Sequence, residues 1–562
     1  MTNLLRLGLV LIYPAIILFS AWALYRKYRD TIRDHCKDIL LNTVIVTAVL
    51  SIGLIVFFHY EDTIYAYDYA GHWIRALTLR KLFFEDPRSI LQLVYYSMNN
   101  TDYSYLPALF GLPFIIISQS YLFFSLSVLF IFLIPAFAVM QVLYFHYLEG
   151  NKYLPLFIFM AVYPLYLTLF YGKVDCSGLL FITLAYALII LPDFRDIDMI
   201  DDLSVNLFTF TAIFLRRWYL YSVVCLYLSY LLKWLLYKDK KASDILKLLS
   251  SGIIALAVIL VFFDSFVFNV FHNNFEEAYA FYNHDGKLLS FITYISPLIL
   301  LISVFGITRL ARNDLSLLII NIISIVIPCV LIWRIQSFEY HHYYIFLLNI
   351  IILFTCGLFA LSNIGKPVQI ILCALLLVQP CIIFTELGDT MPVFTNARKR
   401  PEVLEDKDDL IKLAQYIRSI EPDDETSAFL SAGSYGIITD DLIRNALLPD
   451  IDAPKIDSAI FDIRDGFPKD IEYIRYVMTV DPIIYSDEDF QHMFTIIDHA
   501  VREDENISKI YEPIYEIKLF DKYTVTVYER TGEYTKEMKK YYYDEMLKYY
   551  PDKAEYFSYI LD

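Results

Sequence analysis

The chain has 562 residues, 57% of them hydrophobic, and a mean hydropathy of +0.49. Lipid is the environment that accommodates so much apolar surface, so an ordinary globular protein is excluded. The formal net charge of −17 sets nucleic acid aside as a partner, because phosphate backbones are bound by basic faces.

Apolar runs near the length of a bilayer crossing fall at 4–25, 39–59, 121–146, 153–171, 177–192, 203–215, 219–236, 247–268, 290–310, 314–333, 342–362 and 367–386. The first ends in a basic cluster and has no small-residue cleavage site after it, so it reads as a retained helix. Residues 105–118 carry Pro107, Gly111 and Pro113 and are expected as a re-entrant or partial helix, since broken backbone at membrane depth is tolerated only inside protein. Twelve crossings place Arg26, Lys27, Arg29, Arg33 and Lys37 on one side with Lys238, Lys240, Lys241, Arg309, Arg312 and Lys366, as the positive-inside rule requires. The loop 60–104, the turn 171–176, the loop 269–289, the segment 334–341 and the C-terminal tail then share the non-cytoplasmic side.

The expected fold is a polytopic α-helical membrane protein over 1–386, a linker at 387–404, and a soluble extracytoplasmic domain at 405–562. Helical spacing at 407–420 and strand-like runs at 427–438, 476–484 and 525–529 predict a small α/β or α+β domain. A Tyr- and Lys-rich helix at 534–562 has no assigned place. None of the seven cysteines lies in the tail and none has ligand spacing, so disulfide and zinc readings are weak. The excess of Tyr and Phe is read chiefly as interfacial anchoring and helix packing.

Four polar clusters interrupt the apolar pattern. In the first outer loop, Asp62 and Asp68 follow the second span, with Asp68 set among Tyr67, Tyr69, His72 and Trp73 in YDYAGHW. A carboxylate among aromatics at a membrane surface is costly without a partner or a task, although such acids also simply solvate loops. Asp86-Pro87 predicts the N-cap and first turn of an amphipathic surface helix over 88–97, and Asp102 closes the loop. Asp175 lies in the turn YGKVDCSG. Arg216 and Arg217 lie between two spans, ahead of Tyr219, where positive charge on the outer side asks for an anion such as a lipid phosphate; snorkelling to headgroups is the plainer alternative. Arg334, Glu339, His341 and His342 form the last cluster, with the means to hold a phosphate or diphosphate. Carboxylates to take a proton and cations to steady a leaving phosphate are what glycosyl transfer from a lipid-phosphate sugar needs.

The segments YDYAGHW (67–73), TDYSYLPAL (101–109), YPLYLTLFYGKVD (163–175), FLRRWYLY (214–221) and FEYHHYY (338–344) resemble motifs of the GT-C superfamily of polyprenyl-phosphate-sugar-dependent glycosyltransferases, in a bacterial branch. The tail segments YVMTVDPIIY (476–485) and YTVTVYER (523–530) look like its C-terminal domain. The resemblance implies an integral-membrane inverting enzyme of a bacterial cytoplasmic membrane. It would transfer a monosaccharide from a polyprenyl phosphate to an extracytoplasmic glycan, lipid or protein acceptor. It also implies a catalytic base in the first loop, assigned to Asp68 with Asp62 as the competing choice and Asp102 in support. Donor phosphate would be held by Arg216, Arg217, Arg334, His341 and His342. Acceptor or sugar would be oriented by Asp175, His72, Trp73, Tyr219 and Glu339. Many members of the family work without metal, and both a metal-free site and a divalent ion held by Asp102 and Asp175 stay open. The helix at 4–25 precedes the usual first helix of the family, and the absence of a WWDYG motif argues against en bloc transfer to asparagine. Readings from other classes are a lipid-linked glycan transporter or flippase, with ionisable groups along the bundle, and a glycan polymerase or ligase, using an oligosaccharide diphosphate.

Overall fold

The computed structural model describes residues 2–561 apart from 149, 238–240, 273–286, 336–338, 363–364, 386–398, 422–428, 433–437, 451–455, 459–466, 469–470 and 484–494. Lys238, Lys240, most of the loop 269–289, most of the linker and parts of the segment 334–341 and of the strand-like run 427–438 therefore lie outside the described residues. The chain divides into two compact units, one of Met1–Tyr60 and His72–Pro401, the other of Glu61–Gly71 and Glu402–Asp562. The boundary falls inside the expected linker, but eleven residues of the first loop belong with the C-terminal unit.

The first unit is helical. Among the described residues, six helices are long and apolar enough to cross a membrane, or seven if one bent pair is a single span. The twelve expected spans do not map one to one onto these helices: the first holds two of them, and several others are shorter or broken. The first helix, α1 (Thr2–Tyr60), covers two expected spans and has 59 residues, about 88 Å if straight. It is not straight. Tyr28 leaves helical geometry (φ −120°, ψ 29°). Tyr13 donates to the carbonyl of Ile131, while Gln141 donates to the hydroxyl of Thr43 at 3.0 Å. In a straight helix Tyr13 and Thr43 would stand about 45 Å apart, yet their partners are only about 15 Å apart on the helical segment Tyr121–Tyr147. The chain therefore bends sharply at Tyr28, and both halves pack back along the same neighbour. Arg26 pairs with Asp198 and Asp201, and Lys27 with Asp201 at 2.9 Å, which pins the bend.

Other expected spans are interrupted where sequence chemistry demands it. The run 153–171 splits into Leu154–Ala161 and Pro164–Tyr171, bent by 66° ahead of Pro164. The run 290–310 breaks before Pro297, where Ser296 takes a positive φ of 94° and its hydroxyl caps the helix Pro297–Asn313. The short span at 203–215 begins earlier, at Met199, behind a capping box built on Asp198. Within the first loop lie two helices, α2 (Asp68–Glu85) and α3 (Pro87–Asn100), and the expected partial helix follows as α4 (Leu106–Ile117). Asp86 caps α3 through the N–H of Arg88, and Ile90, Val94 and Ser97 form its buried stripe. The twelve residues of α4 span about 18 Å, short of the roughly 30 Å of a bilayer core.

Helices Pro297–Asn313 and Leu347–Leu361 approach each other through glycine. A Cβ on Gly306 would stand 1.9 Å from the carbonyl oxygen of Leu353, and one on Gly357 would stand 2.0 Å from that of Ile302. Backbone-to-backbone contact of this kind needs small residues.

The second unit is a mixed sheet covered on both faces. Its strands are β1 (Phe429–Ala432), β2 (Ile456–Ser458), β3 (Tyr476–Asp481), β4 (Tyr511–Leu519) and β5 (Tyr523–Arg530), in the order β2-β1-β3-β5-β4. Strand β1 runs parallel to β2 and β3, whereas β5 is antiparallel to β3 and β4. Successive residues of β3 point to opposite faces. Met478 and Val480 pack with Leu410, Leu413 and Ile417 of the helix Lys407–Ile420. Val477 packs with Ile497 and Val501 of one helix and Tyr542 and Met546 of another, Lys536–Tyr549. The Tyr- and Lys-rich tail helix, which sequence left without a place, is thus part of this core. The first-loop residues join by backbone: Asp62 N–H donates to Glu402 and Leu404 N–H donates to Asp62, both at 2.8 Å, while Ile64 and Ala66 enter the core.

Candidate functional site

Most of the polar groups singled out in sequence meet at one end of the helical unit, on short connections that the apolar helices leave between them. Gly172, in the left-handed region at φ 61°, ends the helical run before it and turns the chain through Lys173 and Asp175. The helix Met199–Leu215 stops at Arg216, whose extended backbone carries the chain through Arg217 and Trp218 into Tyr219–Leu236. Glu339 to His342 form the third connection, and Asp102 and Tyr103 follow α3.

Two ion pairs tie these connections together. Arg216 Nε donates to Asp175 Oδ1 at 2.7 Å, with both side chains about 5% exposed. Tyr219, fully buried, donates to the backbone oxygen of Asp175 at 2.6 Å and fixes the turn. Arg217 Nη1 donates to Asp102 Oδ1 at 2.9 Å. Arg216 lies 5.0 Å from the centroid of the Tyr103 ring and Arg217 lies 5.1 Å from that of Phe266, so adjacent arginines meet the adjacent residues Asp102 and Tyr103. Burial pulls the Arg217 guanidinium below its ordinary pKa, against the opposing pull of Asp102. Carboxylates and arginines are therefore interleaved and paired. Opposite charges removed from water pair with each other before they serve anything else.

Two atoms in this cluster have unused capacity. Among the described residues, Asp175 Oδ2 and Arg217 Nη2 are buried and meet no hydrogen-bond partner. One is an acceptor and the other a donor, on neighbouring ion pairs.

The third connection adds a cation that the sequence reading missed. Lys173, 4% exposed, contacts His341 Nδ1 at 3.1 Å and Glu339 at 3.8 Å, and lies 5.0 Å from the centroid of the Tyr340 ring. An ammonium only donates, so in the contact with Lys173 Nδ1 of His341 is the acceptor, and Glu339 lies 3.3 Å from the same nitrogen. Nδ1 of His342 accepts from the backbone N–H of Glu339 at 3.1 Å. Burial holds the His342 ring neutral, so the fixed cations of the cluster are Lys173, Arg216 and Arg217. Lys173 stands two residues before Asp175, and that proximity was the signal available.

Other candidates have different surroundings. Trp73 is buried, with its indole N–H on the carbonyl of Gln119 at 2.9 Å and its ring against Tyr121, so it packs the loop instead of presenting a face to a sugar. His72 is buried beside Tyr103, with ring centroids 5.7 Å apart. Arg334 is exposed in the last turn of the helix Leu315–Ile335. Asp62 belongs to the second unit, where Lys407 pairs with it, and its role there is to anchor the segment. Asp68 is half-buried at the first turn of α2, in the part of that helix assigned to the second unit. Its neighbours Tyr67 and Tyr69 are 45% and 36% exposed, so they do not box it from water as the sequence suggested. Strand-like alternation is absent there, and helical spacing sends consecutive residues to different sides.

Among the described residues, no three His, Cys, Asp or Glu side chains gather as a ligand set for a metal ion. Asp102 and Asp175, the acids that sequence offered to a divalent ion, are each paired with an arginine instead. Comparisons with family models, with curated proteins and with solved structures find no match to this chain.

Proposed function

We propose that this chain is an inverting glycosyltransferase, which takes a monosaccharide from a polyprenyl phosphate and passes it to an acceptor hydroxyl on the non-cytoplasmic side of a membrane. One observation carries the reading: a buried donor on Arg217 and a buried acceptor on Asp175, both without partners among the described residues, sit in a cluster with three fixed cations. A phosphorylated sugar supplies both missing partners. A phosphate oxygen takes Arg217 Nη2, and a sugar hydroxyl donates to Asp175 Oδ2.

The chemistry follows from the charges. The acceptor oxygen attacks the anomeric carbon from the face opposite the phosphate, the carbon–oxygen bond to phosphate breaks, and polyprenyl phosphate leaves. Negative charge grows on that phosphate as the bond opens. Arg217, Arg216 and Lys173 meet it without moving, and burial strengthens their effect. The proton of the acceptor goes to a carboxylate, which we assign to Asp68 in keeping with the family resemblance. Asp102 is the reserve choice, because a phosphate competing for Arg217 releases its carboxylate.

The test uses purified protein and a small panel of polyprenyl-phosphate monosaccharides, with release of polyprenyl phosphate as the readout. Arg217→Ala is expected to weaken donor use by about 2–4 kcal/mol, the range for stripping one side of a buried charged contact. Unchanged kinetics would return this arginine to the headgroup-snorkelling explanation.

A further inference from the structure

Away from that cluster, the helical unit holds a chamber. It is a partly open cavity of about 550 Å³, in the range of small-ligand sites. Lys233 on its wall lies near the end of the helix Tyr219–Leu236, roughly 20–25 Å along that axis from Arg217. The walls are largely apolar, with Phe159, Leu317, Ile351 and Ile352 among them, and Lys233, Arg309 and Asp314 supply charge.

Those three charges are not equally committed. Lys233 donates to the carbonyls of Ile190, at 2.7 Å, and Pro192, where the π-turn Tyr186–Ile190 ends. Asp314 accepts the N–H of Leu317 at 2.9 Å and caps the following helix. Arg309 lies 5.3 Å from the ring centroid of Phe359, and among the described residues no carboxylate stands within ion-pair distance of it. A guanidinium without a counter-ion beside an apolar chamber is complementary to an amphiphile with an anionic head.

We propose that this cavity binds an anionic phospholipid of the surrounding bilayer, with an acyl chain in the chamber and the phosphate on Arg309. The proposal is independent of the glycosyl-transfer reading, because neither Arg217, Asp175 nor Lys173 lines the cavity.

The test exchanges the full-length protein into mixed micelles containing phosphatidylglycerol or phosphatidylcholine with the same acyl chains. Native mass spectrometry then counts the lipids retained. The wild type is expected to keep one equivalent of phosphatidylglycerol, favoured over phosphatidylcholine by about fivefold, the scale of one basic side chain meeting an anionic lipid. Arg309→Gln should bring the two lipids to parity, and Arg309→Lys should keep the preference. Ile352→Trp fills the chamber and should remove the retained equivalent of either lipid. Equal retention by the wild type, an undiminished preference in Arg309→Gln, or full retention in a folded Ile352→Trp protein would each overturn the proposal.

Discussion

At the scale of single residues, Arg216 and Asp175 show how a buried ion pair differs from a surface one. Each is about 5% exposed, so each depends on the other to offset the cost of leaving water. Arg216→Met alone is therefore expected to destabilise the fold by about 3–5 kcal/mol, while Arg216→Met with Asp175→Leu should recover most of that loss. Fluorescence-detected melting of both variants in detergent checks this, and a double variant as unstable as the single one would contradict it. Asp498 in the second unit makes a different prediction. Burial lifts its carboxyl to about 6, although Arg502 opposes the shift at 2.6 Å. Burial pulls Arg502 down as well, but Asp498 and Asp481 together push it up, so the penalty rests on the acid. The folded state thus holds a proton that the unfolded chain releases near pH 4. This contribution to stability is fully present below about pH 4 and is lost as pH rises through about 6. Hydrogen exchange at the Val480 amide, which donates to Asp498, should show protection, after correction for intrinsic rates, falling across that window. Asp498→Asn should flatten the profile.

Among the elements, the sequence was most informative where the signal was local. Asp86-Pro87 announced the start of α3, and Lys407–Ile420 has the boundaries its apolar spacing implied. Strand β4 was not legible, because Pro513 with the charged Glu512, Glu516 and Lys518 marks an edge strand, and its register shifts beside that proline. The reversal between the spans 4–25 and 39–59 was expected from the basic cluster between them, but not that one helix bent at Tyr28 makes it: nothing local forbids helix there, and the contacts of Tyr28 with Tyr147 and of Lys27 with Asp201 hold the bend. Cysteines placed at Asn3 and Tyr60 should accordingly be labelled from the same side of the membrane, with native Cys36 labelled from the other. Labelling of positions 3 and 60 from opposite sides would refute the bend as a reversal. The helix pair at Gly306 and Gly357 gives a further test. Gly306→Leu has no room against the backbone of Leu353 and should abolish the folded protein, whereas Gly252→Leu, with open space around it, should be tolerated.

For the whole molecule, the polar cluster was legible as a set of residue types but not as a set of partners. Asp102, Asp175, Arg216, Arg217, Glu339, His341 and His342 do converge, because apolar helices leave polar connections nowhere else to go. Which acid holds which base is a long-range matter, and so the pairing of Arg217 with Asp102 and of Lys173 with His341 could not be read from spacing. The division into units was partly legible. The composition change near residue 400 marks it, but the return of Glu61–Gly71 to the C-terminal unit rests on backbone pairing at Asp62. The central claim is that the chain moves a sugar from a lipid phosphate. Its most direct test is single-turnover release of polyprenyl phosphate from the donor panel by wild type, Asp68→Asn and Asp102→Asn. The account predicts release by the wild type and a loss of roughly two to four orders of magnitude in Asp68→Asn with donor binding retained, the loss in Asp102→Asn being smaller. Absence of release with every donor, or full turnover in both variants, would contradict it.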